Sequence, residues 1–309
     1  MNTEIISHGK APCKAALRYE SRGVPGSASC RGREKACFDY GHRPKKGYNV
    51  FTGCMRRGSD GGCGCNNRRH TAASGIRGED RRMEIKLEHF KLDNGAYGGS
   101  QKWFRTAWMR LGGCAAQTAC DVSVFFARHC GMEYLYPFDA QDVKKKEYVT
   151  FSNIMRPYLK PRMHGINTLD LFMDGFREYI RDREETAQAD ISYKEETAQA
   201  EAPDKEAESG RHLTMRGFDG MRPFEEAEQA IIEQLEKGFP AACLILYHED
   251  PEMKPYVWHW FLLNGYRREG EAPAQVRAVT YGAARWISLQ QLWETGKEPK
   301  GGLVLFDLL

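Results

Sequence analysis

Gly99-Ser100-Gln101-Lys102-Trp103, followed by Leu111-Gly112-Gly113-Cys114-Ala115-Ala116, is the stretch from which the rest of the chain can be read. A cysteine stands where a glycine-rich turn gives way to a helical pattern. From Cys114 to His129, Ala116, Ala119 and Ala127 with Val122, Phe125 and Phe126 predict a buried helix, closed by Gly131. Cys114 then sits at the helix N-terminus, where the dipole and unpaired N–H groups favour a thiolate. Cys120 and Cys130 read as small buried thiols. His129 and Cys130 are adjacent, so a helix points them apart, and they make no metal pair.

The helix acquires a chemical meaning from Val257-Trp258-His259-Trp260, far downstream. Alternation along a strand from Tyr256 to Leu263 puts Val257, His259, Phe261 and Leu263 on one face. A histidine held among apolar side chains is a suitable base for a thiol, and Gln101 carries an amide that can donate to an oxyanion. The candidate catalytic residues are therefore Cys114, His259 and Gln101. His248, in Tyr247-His248-Glu249-Asp250, is a rival base whose acidic neighbours place it in an exposed turn.

Around these residues, Phe151 to Leu159 predicts a short helix and Asn167 to Arg181 a second, with Leu169, Phe172, Phe176 and Ile180 on one face. Phe224 to Lys237 predicts a third, stopped by Gly238. Strands are expected over Pro240 to Tyr247, Tyr256 to Leu263, Gln275 to Tyr281 and Leu303 to Phe306, with a short helix over Ile287 to Trp293. Helices fill the first half and strands the second, the order of an α+β domain. Glu184-Glu185-Thr186-Ala187-Gln188-Ala189 recurs as Glu195-Glu196-Thr197-Ala198-Gln199-Ala200. One short repeat in acidic, Ala-rich sequence is no solenoid, and residues 184–210 read as a solvated insertion.

The chain has 309 residues and a net charge of +3, unevenly spread. Residues 1–82 hold 17 Lys and Arg against 7 Asp and Glu, and only eight Val, Ile, Leu and Phe, too few for a core. They also hold six of the ten cysteines, without a C-x-x-C pair; Cys63-Gly64-Cys65 is too tight for a zinc knuckle. The segment reads as a disordered basic extension ahead of a domain over 83–309. Met83 offers a second start, which would make residues 1–82 translated upstream sequence. No cofactor or metal is implied. Charge alone does not make the extension a nucleic-acid module. No apolar run is long enough for a membrane span and no signal peptide is evident, so the expectation is a cytoplasmic protein with reduced thiols.

The Gln101 loop, Gly113-Cys114 opening a helix, Pro240 to Tyr247, His259-Trp260 and Asn264-Gly265-Tyr266 together resemble the papain-like cysteine peptidase superfamily. The closest resemblance is to its bacterial branch of double-glycine leader peptidases, the C39-like peptidases. It spans roughly residues 95–309. It implies a helical half with a nucleophile-bearing helix packed on an antiparallel sheet, and a peptide or amide substrate. It also implies Cys114 as nucleophile, His259 as base and Gln101 as oxyanion donor. The chain departs from that pattern in three places. Ala115 follows the nucleophile where glycine is usual. Gln101 lies thirteen residues before Cys114, a longer gap than usual. The strand after the histidine reads Val279-Thr280-Tyr281-Gly282, without the usual Asp or Asn. Asn264 falls on the opposite face of an ideal strand, which leaves Thr280, Tyr281 or a backbone carbonyl to orient His259. Three functions share these residues: hydrolysis, acyl transfer to an amine, and binding by an inactive relative.

Overall fold

The computed structural model describes residues 82–197 and 211–309. The expectations for the basic extension therefore lie outside the described residues, apart from Arg82. In chain order the elements are β1 (Arg82–Lys86), α1 (Ala107–Gly112), α2 (Cys114–Cys130), α3 (Lys145–Met155), α4 (Leu169–Thr197), β2 (Leu213–Asp219), α5 (Phe224–Glu236), β3 (Ala241–Ile245), β4 (His259–Glu269), β5 (Gln275–Thr280), β6 (Ala283–Ser288), α6 (Leu289–Trp293) and β7 (Gly301–Leu308). This is an α+β fold around one seven-stranded sheet in the order β2-β7-β3-β4-β5-β6, every pairing antiparallel. Among the described residues no helix is long and apolar enough to cross a membrane.

β4 is the long central strand. Along one side it pairs first with β3, over His259–Leu263, and then with β1, over Gly265–Glu269. On the other side its register with β5 shifts between Leu263 and Tyr266. Asn264 lies in that irregularity, buried, and its carbonyl accepts the Leu87 N–H. Its side-chain amide has no partner among the described residues.

α2 is apolar nearly all round and nearly all buried, as a helix inside a core must be. It packs on β4. Phe126 touches Phe239 and Phe306, while Phe176 of α4 touches Phe306 from its own side. Phe172 stacks on Trp260 at 4.4 Å, and the Trp260 indole donates to the Ile166 carbonyl. The helices α2 and α4 are thereby seated together on the face of the sheet that carries Phe306.

Several elements differ from the sequence expectation. The strand expected from Tyr256 begins at His259, because Pro251–Tyr256 forms a 3-10 turn and Trp258 adopts a left-handed φ of 52°. β1, β2, β6 and α1 are additional. β2 and β6 end the strand order at either side and are partly exposed, so their alternation is weak. The insertion expected from residue 184 is helical at least to Thr197, since α4 runs through it. Glu184 belongs to the packed part: its carboxylate accepts from the Tyr134 hydroxyl and meets the His212 ring. The remainder of that insertion, residues 198–210, lies outside the described residues.

Gly113 closes α1 and opens α2. Its φ of −86° suits any residue, so the need for glycine is one of space. A Cβ there would lie 2.4 Å from the Met109 carbonyl oxygen and 3.1 Å from Phe104. Gly113→Ala is expected to destabilise the domain by about 1–3 kcal/mol, the range for forcing extra atoms into a packed core. A thermal melt of the variant with an unchanged midpoint would show that α1 can simply lift away.

Candidate active site

Because Gly113 carries no side chain, the first turn of α2 has no side-chain cap. Its N–H groups point past Cys114 without intrahelical partners. The sulfur is approached by the backbone N–H of Trp260, and by those of Ala115 and Cys114 itself. Trp260 directly follows His259, so the nucleophile candidate sits against the start of β4.

His259 is buried, with its Nε2 2.7 Å from the Thr280 hydroxyl. The register explains the pair. Leu262 faces Val279 across the β4–β5 ladder, which puts His259 diagonal to Thr280 on the same face. The other ring nitrogen, Nδ1, is 3.5 Å from the Tyr281 hydroxyl, and the two rings stack in parallel with centroids 4.6 Å apart. Tyr281 also lies within electrostatic reach of Cys114. The thiol, against the Trp260 N–H, and the imidazole one residue earlier thus lie at the same end of β4.

Tyr281 and Gly282 form a two-residue turn, closed by the pairing of Thr280 with Ala283. Both have positive φ, 53° and 77°, as a type I′ hairpin requires. The usual first residue of such a turn is Asn, Asp or Gly; a bulky side chain there costs roughly 1–2 kcal/mol. Among the described residues the two non-glycine residues with positive φ are Tyr281 and Trp258. They flank the histidine. Strain of this kind persists where the surroundings over-determine it.

The loop carrying Gln101 is fixed by a buried carboxylate. Asp121 Oδ1 accepts the Gly99 N–H at 2.9 Å and the Tyr148 hydroxyl at 2.6 Å, and Oδ2 accepts from Gln117 Nε2 at 2.7 Å. Gly99 must be glycine, since a Cβ would fall 1.9 Å from the Tyr148 oxygen. The Gly99 carbonyl in turn accepts the Gly282 N–H at 2.8 Å, and the Tyr97 N–H donates to the Gly282 carbonyl. The loop, α2 and the Tyr281 turn are therefore one hydrogen-bonded unit.

Gln101 is buried, and its amide nitrogen donates to the carbonyls of Arg110 and Leu111, at 3.1 and 3.3 Å. It reaches the end of α1, just ahead of Cys114, with both amide hydrogens engaged. The donors at the sulfur are backbone groups, those of Trp260, Ala115 and Cys114. Asn264 makes no bond to His259. His248 is occupied elsewhere: Nε2 meets the Gln291 carbonyl at 2.7 Å and Nδ1 accepts the Asp250 N–H. Sequence reasoning missed Asp121. The available signal was a lone carboxylate in an apolar helix, on the face shared by Cys114 and Gln117 through spacings of three and four.

Comparison with family models, curated proteins and solved structures gave no match to this chain.

The electrostatics differ from the thiolate expected at a helix N-terminus. Burial pushes the Cys114 thiol above its ordinary range, against the pull of the three N–H groups. Burial also pulls His259 down to about 4. The resting pair is neutral thiol and neutral imidazole, because no carboxylate stands near either to repay the lost solvation. Cys120 and Cys243 are pushed up as well, with no N–H groups opposing it. Iodoacetamide is therefore expected to modify Cys114 ahead of Cys120 and Cys243, with a rate that climbs as pH rises above neutrality. A rate plateau already reached at pH 5, followed by peptide mapping, would reveal the ion pair instead.

A second consequence concerns stability in acid. His89 is fully buried against Phe90 and Tyr97, and burial lowers its pKa to about 3. Neither of its ring nitrogens has a partner among the described residues. Unfolded histidine takes up a proton below about 6.5, whereas the native ring stays neutral until about 3. Its contribution to stability is thus present above pH 6.5 and is lost as pH falls towards 3. Denaturant titrations of His89→Leu between pH 7 and 4 should show a shallower loss of stability than the parent. Parallel curves would mean that the ring titrates alike in the native and unfolded chain.

Proposed function

We propose that the chain is a papain-like cysteine peptidase or amide hydrolase that works through an acyl-thioenzyme. The observation that carries this reading is that the Cys114 thiol, at an uncapped helix N-terminus, meets the Trp260 N–H, the residue next to the His259 imidazole. The helix-on-antiparallel-sheet arrangement is consistent with the papain-like fold that the sequence resembles.

In this mechanism the sulfur attacks the substrate carbonyl carbon as His259 Nδ1 takes the thiol proton. The carbonyl electrons move to oxygen, and the oxyanion is met by the N–H groups of Cys114 and Ala115. Gln101 adds its amide by exchanging one of its present carbonyl partners for the oxyanion. The imidazolium passes its proton to the leaving amine, the C–N bond breaks, and the acyl-thioenzyme remains. Water then attacks the thioester, its proton going to His259, and the thiolate leaves and recovers a proton. Acyl transfer to an amine follows the same course with the amine replacing water.

Thr280 takes the place of the usual carboxylate or amide. Its hydroxyl holds the His259 ring through Nε2 and leaves Nδ1 for the thiol. It cannot neutralise an imidazolium. The parallel Tyr281 ring offsets part of that deficit, as an aromatic face attracts a cation. The same lack of a charged partner favours the competing reading of an inactive relative that binds peptides on this surface.

Cys114→Ala and His259→Ala are each expected to abolish peptide cleavage. Thr280→Val should lower kcat/KM roughly tenfold, the effect of about 1.4 kcal/mol for one hydrogen bond, and Thr280→Ser should restore it. Peptide turnover by the Cys114→Ala variant equal to that of the parent would remove the hydrolase reading.

A further inference from the structure

Beside the thiol–imidazole pair lies a hollow of about 350 Å³, lined by Trp108, Leu111, Gly112, the turn at residues 161–165 and Trp258. Gly112 is two residues before Cys114 and Trp258 is the residue before His259, so the chain that walls the hollow on either side leads straight into the two candidate residues. Four apolar side chains on its walls are unusually exposed: Leu111 is 79% exposed, Met163 87%, Trp108 50% and Trp258 43%. Such side chains gathered at one place mark a surface that binds something.

Two features show that the hollow is held in shape. The Trp108 indole donates to the Pro161 carbonyl at 3.0 Å, which fastens α1 to the 161–165 turn. A Cβ on Gly112 would come within 3.0 Å of the Pro161 ring, so glycine permits that approach. On the opposite wall Trp258 keeps its strained φ of 52°, packed edge-on against Tyr247.

The rim has one sign of charge. Arg162 lines the hollow, and Arg156 and Lys160 line a second depression that also includes Trp108; neither contains a carboxylate. Arg156, Lys160 and Arg162 have no ion-pair partner among the described residues. The basic segment 1–82 does not complement such a rim. The acidic stretch 198–210 has the charge but no bulky apolar side chain.

We propose that this hollow is a substrate subsite that takes one large apolar side chain, flanked in the substrate by a carboxylate. The occupant is thus a peptide with an aromatic or leucine-like residue next to Asp or Glu, close to the bond that Cys114 attacks. The inference rests on the cysteine hydrolase reading, and it adds a selectivity that the thiol and imidazole alone do not supply. The apolar walls desolvate the side chain, and Arg162 with its neighbours attracts the adjoining carboxylate.

Peptidyl electrophiles test this without a known substrate. Iodoacetyl-Phe-Asp-amide and acetyl-Asp-Phe-Gly chloromethyl ketone place the Phe on either side of the carbon that the sulfur attacks. Each is compared with versions carrying Ala for Phe or Lys for Asp, and with iodoacetamide. Cys114 alkylation in one series should be roughly tenfold faster with Phe than with Ala, the discrimination expected of an apolar pocket. Asp should exceed Lys, and the Asp advantage should shrink in high salt. Leu111→Ser and Met163→Ser, both at exposed positions, should lower the Phe-to-Ala ratio, while Met221→Ser should keep it. Equal rates for Phe and Ala in both series would overturn the subsite while iodoacetamide still modified Cys114 first. Faster reaction of the Lys probes would overturn the acidic requirement. If iodoacetamide itself spared Cys114 relative to Cys120 and Cys243, the hydrolase reading would fall and the subsite with it.

Discussion

A single buried carboxylate holds the parts of this site in register. Asp121 stands two turns along α2 from Cys114 and accepts from Gly99, Tyr148 and Gln117. Burial pushes it up to about 7, against the pull of those three donors. The clamp joins three segments distant in sequence: the 98–101 loop, α2 and α3. Through the Gly99 carbonyl it extends to the turn that carries Tyr281. A chemical site assembled from loops needs such a support, since a misplacement of about 1 Å is enough to lose most of a rate advantage.

The second constraint is the register of β4. Eleven residues serve β3, β1 and β5 at once, and the irregularity between Leu263 and Tyr266 lets the strand do so. The N-terminal end of the strand delivers His259 beside Thr280 and brings the Trp260 N–H to the sulfur. The strained Trp258 and Tyr281 stand at the two ends of this delivery. Their aromatic faces form walls of the site, so the backbone strain and the exposed rings belong to one arrangement.

The consequence for reactivity is a site run without fixed charge. Papain-like chemistry, as the resemblance implies it, begins from an ion pair. Here burial raises the thiol and lowers the imidazole together, so both stand as neutral groups. A hydroxyl behind the histidine fixes its orientation but contributes no charge. Backbone N–H groups of Cys114 and Ala115 at the α2 terminus, with that of Trp260, act on the sulfur instead and partly oppose the effect of burial.

The sequence by itself determined the α+β order, the helix that opens at Cys114 and the strand that carries His259. Each is written in local periodicity: alanines and phenylalanines at helical spacing, then apolar runs closed by glycine. The Gly113-Cys114 pair also marked the helix terminus, because glycine there is a matter of local space. Only the tertiary structure decided the rest. The edge strands β2 and β6 are half exposed and take their definition from a neighbour. Asp121 looks like an ordinary helix carboxylate until Gly99 and Tyr148 arrive from other segments. Thr280 was one of several possible partners for His259 until the β4–β5 register selected it. The protonation state was out of reach for the same physical reason: a thiol at a helix N-terminus is acidic in isolation, and burial against the sheet reverses that shift.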